Sequence, residues 1–162
     1  MLEDYKKHCK EREEMGIPPL PLDAEQTANL IELLKKDHKE SDFLLNLLKE
    51  RVPAGVDDAA YVKAGFLSDL TKGKTDSPYI SKEDAVAILG TMLGGYNIQP
   101  LIDCLEIDGL ADDAADALSN TLLIFDAFND IFELSKDNVH AKRVIDSWAC
   151  LLYTSPSPRD RG

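Results

Sequence analysis

Cysteine is scarce in this sequence. The three present, Cys9, Cys104 and Cys150, include no CxxC pair. The odd count and wide spacing exclude a disulfide framework and fit reduced thiols in a cytoplasmic protein. The clusters that hold zinc or an iron–sulfur centre are missing, so no metal and no cofactor is expected on these residues. Histidine is equally thin. His8, His38 and His140 lie far apart, and the adjacent His8-Cys9 pair points about 100° apart on a helix, a poor chelate. Each histidine reads as a surface residue. Long apolar runs are absent as well: none approaches the ~20 residues that cross a bilayer. The opening, Met1-Leu2-Glu3-Asp4-Tyr5-Lys6-Lys7, has no apolar core of a signal peptide. Positive charge is the minority, 18 Lys and Arg against 30 Asp and Glu, for a formal net charge of −12. That balance repels phosphates and anionic lipid, so neither nucleic acid nor a membrane is an expected partner. Strand signals are lacking too, with no sustained period-two alternation and no Asn-Gly hairpin.

What is present is helical patterning. A chain of 162 residues with 44% hydrophobic and 30% charged residues suits one soluble compact domain that needs no staples. Residues 2–15 place Leu2, Tyr5, Cys9 and Arg12 on one narrow stripe, and Gly16 closes that helix. Residues 17–22, with Pro18, Pro19 and Pro21, form an extended connector. Asp23 and Gln26 have capping-box spacing ahead of Leu30, Ile31, Leu33 and Leu34. Ser41 reads as a cap before Phe43, Leu44, Leu47 and Leu48, and the segment Val52-Pro53-Ala54-Gly55 breaks that helix. Asp57 or Asp58 opens a helix with Ala59, Val62, Phe66 and Leu70 on its apolar stripe. Ser81 and Asp84 resemble a second capping box, followed by Ala85, Ile88, Leu89 and Met92. Gly94-Gly95 stops that run, and Pro100 suits the first turn of the next helix. Residues 110–119 form a further helix, with Asp112, Asp113 and Asp116 complementing its macrodipole. Residues 121–134 are apolar on most sides, which predicts a central, buried helix. A last helix runs from about Val139 to Trp148. Short connections favour antiparallel hairpins. Helix starts near Asp23 and Asp58 are about 35 residues apart, the scale of a helical repeat. The fold class is therefore all-α, an irregular HEAT-like stack of helix pairs of α-solenoid type.

Three segments carry residues that invite a chemical reading. Asp108-Gly109 resembles the middle of a calcium loop, but that alignment puts Cys104 and Ala115 where acidic ligands belong, and the motif fails. Asp126 and Asp130 share a helix face, yet no His, Lys or Arg lies within one turn to complete an acid–base pair. They read as the polar edge of a helix. Gly94-Gly95-Tyr96-Asn97 permits a tight turn. It has no preceding strand and no Walker lysine, so phosphate binding is unsupported. Two readings stand for these four residues: a structural turn between helices, or a turn that docks another domain through Tyr96. No catalytic residue is assigned.

The residues also resemble a known family. Met1-Leu2-Glu3-Asp4-Tyr5, Gly16-Ile17, Pro21-Leu22-Asp23-Ala24 and above all Arg51-Val52-Pro53-Ala54-Gly55-Val56-Asp57 look like the start of bacterial aconitase B, the bifunctional aconitate hydratase 2/2-methylisocitrate dehydratase. Ala59 to Leu67, Leu89-Gly90-Thr91-Met92, Gly94 to Ile98 and Ala117 to Leu123 add to the likeness. It covers residues 1–149, read as the family's N-terminal helical domain. Residues 150–162, rich in Ser and Pro with a net positive charge, are expected to be a non-native or disordered tail. The resemblance implies a HEAT-like domain that packs against the catalytic domains of the parent enzyme and serves in protein contact and homodimerisation. It also implies a parent lyase that interconverts citrate and isocitrate in the citric acid cycle and hydrates 2-methyl-cis-aconitate. The parent's [4Fe–4S] cluster would be held by residues beyond this chain, and Cys9, Cys104 and Cys150 do not match its ligands. A free-standing helical-repeat adaptor is the alternative.

Overall fold

The computed structural model describes residues 2–53, 57–92, 95–120 and 125–154; of residues 125, 126 and 150–154 only the backbone is described. Regular structure among the described residues is entirely helical. The chain divides into two compact units, Met1–Asn97 and Ile98–Gly162.

The first unit opens with α1 (Leu2–Glu14), which buries Leu2 and Tyr5. Gly16 ends it with φ +73°, a conformation that side chains with a Cβ resist. The proline connector that follows is pinned to one face of α1. The Tyr5 hydroxyl donates to the Leu20 carbonyl at 2.8 Å. The Leu20 amide donates to His8 Nε2 at 3.0 Å, and Arg12 Nε donates to the Pro18 carbonyl at 3.0 Å. Burial raises the Tyr5 pKa above the usual phenol value, which keeps its proton available for that bond.

Helix α2 (Ala24–Leu34) starts at the expected capping box. The Asp23 carboxylate accepts from the Gln26 amide at 2.7 Å, and the Gln26 side chain accepts from the Asp23 amide at 3.1 Å. Its Leu30, Ile31 and Leu34 are buried. Helix α3 (Ser41–Asn46) continues into a π-helical turn, Leu47–Arg51, and buries Leu44, Leu47 and Leu48. Ser41 is not the cap expected of it. It is the first helical residue, and Glu40 holds the cap position without a side-chain cap bond. The Glu40 carboxylate is drawn instead to Lys6 of α1, and its amide donates to His38 Nδ1. The helix ends before Val52 and Pro53 as expected; Ala54, Gly55 and Val56 lie outside the described residues.

Helix α4 (Asp58–Thr71) packs against α2 and against α5 (Lys82–Gly90). Asp23 and Glu25 at the start of α2 border the same groove, of about 490 Å³, as Asp57 and Asp58 at the start of α4. The two helices therefore begin at the same end of the unit. The buried stripe of α4 differs from the expected one. Val62 is only partly covered, and Lys63 lies in the core line with Ala59, Phe66 and Leu70 at 1% exposure. Burial pushes its ammonium pKa down to about 8, against a smaller opposing pull from Glu50. Helix α5 starts at the second expected capping box, Ser81 with Asp84. It stops at Gly90, short of Gly94-Gly95, and the Thr91 hydroxyl donates to the Ile88 carbonyl at 2.6 Å.

The second unit holds α6 (Ile98–Cys104), α7 (Ala111–Ser119), α8 (Phe125–Leu134) and α9 (Val139–Thr154). Pro100 sits in the first turn of α6, where a missing amide costs nothing. Helix α9 packs on both α7 and α8. Trp148 of α9 is buried, stacks on Phe128 at 6.4 Å between centroids, and donates its indole N–H to the Leu118 carbonyl at 3.1 Å.

Two expectations need correcting here. Helix α8 is not buried all round: Ile131 and Ala127 are covered, but Asn129, Asp130 and Glu133 are exposed and Phe132 is 45% exposed. Its polar residues gather on one side, so a single packed face suffices. Leu122, Leu123 and Ile124 lie outside the described residues. Helix α9 does not stop near Trp148 or Ala149. It runs to Thr154, since no proline interrupts the chain before Pro156. Residues 155–162 of the expected tail lie outside the described residues.

Candidate interaction surface

The four residues Gly94, Gly95, Tyr96 and Asn97 divide into separate roles. Gly94 lies outside the described residues. Gly95 has φ +92° and open space where a Cβ would stand, so backbone conformation alone asks for glycine there. Asn97 is 1% exposed and belongs to the scaffold. Its amide nitrogen donates to the Leu89 carbonyl at 2.7 Å and to the Met92 carbonyl at 3.1 Å. The Met92 carbonyl lies just past the end of α5, and the Leu89 carbonyl in its last turn also accepts the Met92 amide at 3.1 Å, so Asn97 adds a second bond there. Tyr96, between them, is 37% exposed and meets Tyr61 of α4 edge-on, with ring centroids 5.4 Å apart.

Sequence reasoning missed Tyr61. It is 64% exposed and sits off the apolar stripe of its own helix, which was the available signal. Together Tyr61 and Tyr96 make an exposed aromatic pair on a rigid support: one ring on a four-turn helix, the other on a turn locked by Asn97.

The remaining polar candidates are engaged in holding the fold. His8 and His38 accept backbone amides through ring nitrogens. His140 lies 3.2 Å from the Asp112 carboxylate, and Arg143 bridges the Asp112 carbonyl and the Asp116 carboxylate at 2.8 and 2.9 Å. Tyr79 donates to Asp37 at 2.6 Å, and that bond raises its pKa. Asn138, also unforeseen, joins two elements. Its carbonyl accepts the His140 and Ala141 amides at the start of α9, and its nitrogen donates to the Leu105 carbonyl at 2.8 Å. An asparagine directly before a helix is a capping signal that the sequence offered.

Of the paired acids, Asp130 is exposed on α8, and the Asp126 side chain lies outside the described residues. Cys9 is half-buried and Cys104 buried, while the Cys150 side chain is not described. Groups of three or more His, Cys, Asp or Glu arranged to hold a metal ion do not occur among the described residues. No described helix is long and apolar enough to cross a membrane. The open groove of about 560 Å³ between Leu2, Asn29 and Leu33 is rimmed by Glu3, Glu32 and Glu40, with Glu40 already bound to Lys6.

The chain is similar to known proteins over most of its length. The sequence model of the family described as the aconitate B N-terminal domain matches residues 4–152. The chain is 58% identical over 151 residues to aconitate hydratase B of Salmonella typhimurium, and 57% identical over 151 residues to that of Escherichia coli. It is 55% identical over 152 residues to the Synechocystis sp. protein of the same name. Each match covers 92% of this chain and 18% of the relative. The chain thus spans less than a fifth of the length of the curated relatives it matches.

Proposed function

Since the chain belongs to the aconitase B N-terminal domain family, we propose that it is a non-catalytic domain for protein contact and dimerisation within an aconitate hydratase B. The whole enzyme would interconvert citrate and isocitrate in the cytoplasm, with a [4Fe–4S] cluster held by residues beyond this chain. The domain would pack against the catalytic domains as an α-solenoid of HEAT-like helix pairs. The parallel start of α2 and α4, 34 positions apart in sequence, supports that reading of the stack.

One observation carries the proposal. Among the described residues, His8, His38, Asn97, Asn138 and Arg143 are committed to helix ends and loops, while Tyr61 and Tyr96 form an exposed aromatic pair on a stiff support. Buried networks fix geometry, and exposed aromatics on rigid elements supply contact energy. The test compares this chain with the full-length polypeptide. The chain alone is expected to turn over neither citrate nor isocitrate and to bind no iron, and the full-length protein to do both. Sedimentation of the full-length protein is expected to show a dimer that shifts toward monomer when residues 1–154 are deleted. Turnover by the chain alone, or a dimer indifferent to the deletion, would refute the proposal.

A further inference from the structure

Solvent faces of amphipathic helices carry long charged side chains. The outer face of α4 departs from that rule at its centre. Asp58, Tyr61, Gly65, Asp69 and Lys72 follow one another at three- and four-residue steps and are all exposed. The middle of this stripe is an aromatic ring followed one turn later by a glycine. A Cβ built on Gly65 meets nothing within 4 Å, so the domain's own packing does not require glycine there. In a helix interior glycine is unfavourable relative to alanine. A residue that weakens its helix and relieves no contact inside its own domain makes room for something outside it. With no side chain at that point the α4 backbone is bare, flanked by Tyr61 and, across the edge-on contact, by Tyr96.

We propose that this face receives a helix from the C-terminal remainder of the same polypeptide, lying across Gly65 with its apolar ridge against Tyr61 and Tyr96. The inference rests on the interaction-domain reading and names the surface and occupant. Three arguments select that occupant. Two rings and a glycine are far smaller than the ~800 Å² per partner that an untethered complex buries. A covalently joined partner acts at millimolar effective concentration, so a small patch suffices. More than four-fifths of each curated relative lies outside the matched region, so the tethered partner is at hand. On this stripe Asp58 and Asp69 outnumber Lys72, so a second copy of the same face is a poorer charge match than a basic helix. Those carboxylates instead favour lysine or arginine beside the apolar ridge of the incoming helix.

Hydroxyl-radical footprinting, read by mass spectrometry, tests this on the 162-residue chain and on the full-length polypeptide. Tyr61 and Tyr96 are expected to label at least tenfold more slowly in the full-length protein. Gly65→Gln is expected to restore their labelling there, while Gly65→Ala raises the melting temperature of the 162-residue chain. If other residues of the domain are protected in the full-length protein but Tyr61 and Tyr96 are not, this surface is wrong and the interaction-domain reading stands. If nothing in residues 1–154 changes its labelling, that reading fails with it. Protection that grows with protein concentration would give the face to a second copy and overturn the proposal. If Gly65→Gln leaves the tyrosines protected, the claim of close approach at Gly65 is refuted.

Discussion

Replacing Asn97 isolates the side chain that locks the turn beneath Tyr96. In Asn97→Ala the Met92 carbonyl loses its donor at 3.1 Å, and the Leu89 carbonyl loses the amide at 2.7 Å and keeps the Met92 backbone amide, in a place where Asn97 itself is 1% exposed. A buried neutral hydrogen bond contributes about 1 kcal/mol net, and an acceptor left dry costs about 1–3 kcal/mol. The expected loss is roughly 2–4 kcal/mol, a large part of the stability of a unit this size. Asn97→Asp sharpens the test, because the carboxylate keeps the shape and reverses the polarity. It has no proton to give and faces two carbonyl oxygens, so at neutral pH it should be at least as damaging as alanine. On acidification the protonated acid regains one donor, and Asn97→Asp should recover relative to Asn97→Ala. Urea unfolding followed by circular dichroism, run on both variants at neutral and acidic pH, gives the comparison. A loss under about 0.5 kcal/mol for alanine, or an aspartate variant as stable as the parent at neutral pH, would refute the assignment of Asn97 as the clamp on α5.

Three further outcomes are expected. Tyr96→Ala, one residue away, should cost the isolated chain less than about 1.5 kcal/mol, the worth of one edge-on ring contact, while weakening attachment to the rest of the polypeptide; a larger loss in thermal melts would make Tyr96 a core residue. Burial lowers the Lys63 pKa to about 8 from 10.5, so the unfolded chain binds more protons than the folded one between those values, and the Lys63 contribution to stability rises with pH across that window. Lys63→Met should therefore gain roughly 1–3 kcal/mol at pH 7, with the gap to the parent closing by about pH 10.5, and an unchanged gap in urea titrations would contradict the buried ammonium. Trp148→Ala should cost about 3–5 kcal/mol through lost ring volume, and Trp148→Phe about 1–3 kcal/mol through the orphaned Leu118 carbonyl; amide exchange in α7 is the readout.

Helix beginnings were legible because their chemistry is local. The Asp23–Gln26 and Ser81–Asp84 boxes are closed by residues three apart, and both formed as expected. Ser41 read as a cap as well, but Leu44 stands three residues on, so no box could close there. It was displaced because Lys6, on another helix, draws the Glu40 carboxylate and His38 takes the Glu40 amide. Lys63 was passed over because a lysine on an apolar stripe is usually swung outward, and only packing by neighbouring helices reveals that its ammonium pays the desolvation. The residues around Phe128 and Phe132 were read as buried on all sides because periodicity counts apolar residues without saying how many neighbours arrive to cover them. For the interaction surface, Tyr96 was legible from its place after two glycines. Tyr61 and Gly65 were not, since only coordinates show that their helix face remains uncovered by the rest of the unit.

The C-terminal ends of the helices show why the polar residues are arranged as they are. Most of these helices are shorter than the ~12–15 residues at which an isolated helix holds together in water. In four of them, a carbonyl at or just past the C-terminal end accepts from a side chain further along the chain. Ser77 reaches Leu34 at the end of α2, Asn97 reaches Leu89 in α5, Asn138 reaches Leu105 just after α6, and Trp148 reaches Leu118 in α7. In each case the donor lies in a later segment, eight to 43 residues away. A helix that waits for a distant side chain to finish its end cannot complete itself alone, so elements within a unit should form together. The same commitment removes hydroxyl, amide and indole groups from the pool available for binding small molecules. Tyr61 and Tyr96 keep exposed rings on α4 and its neighbouring turn, beside a bare Gly65, and the proposed docking rests on them.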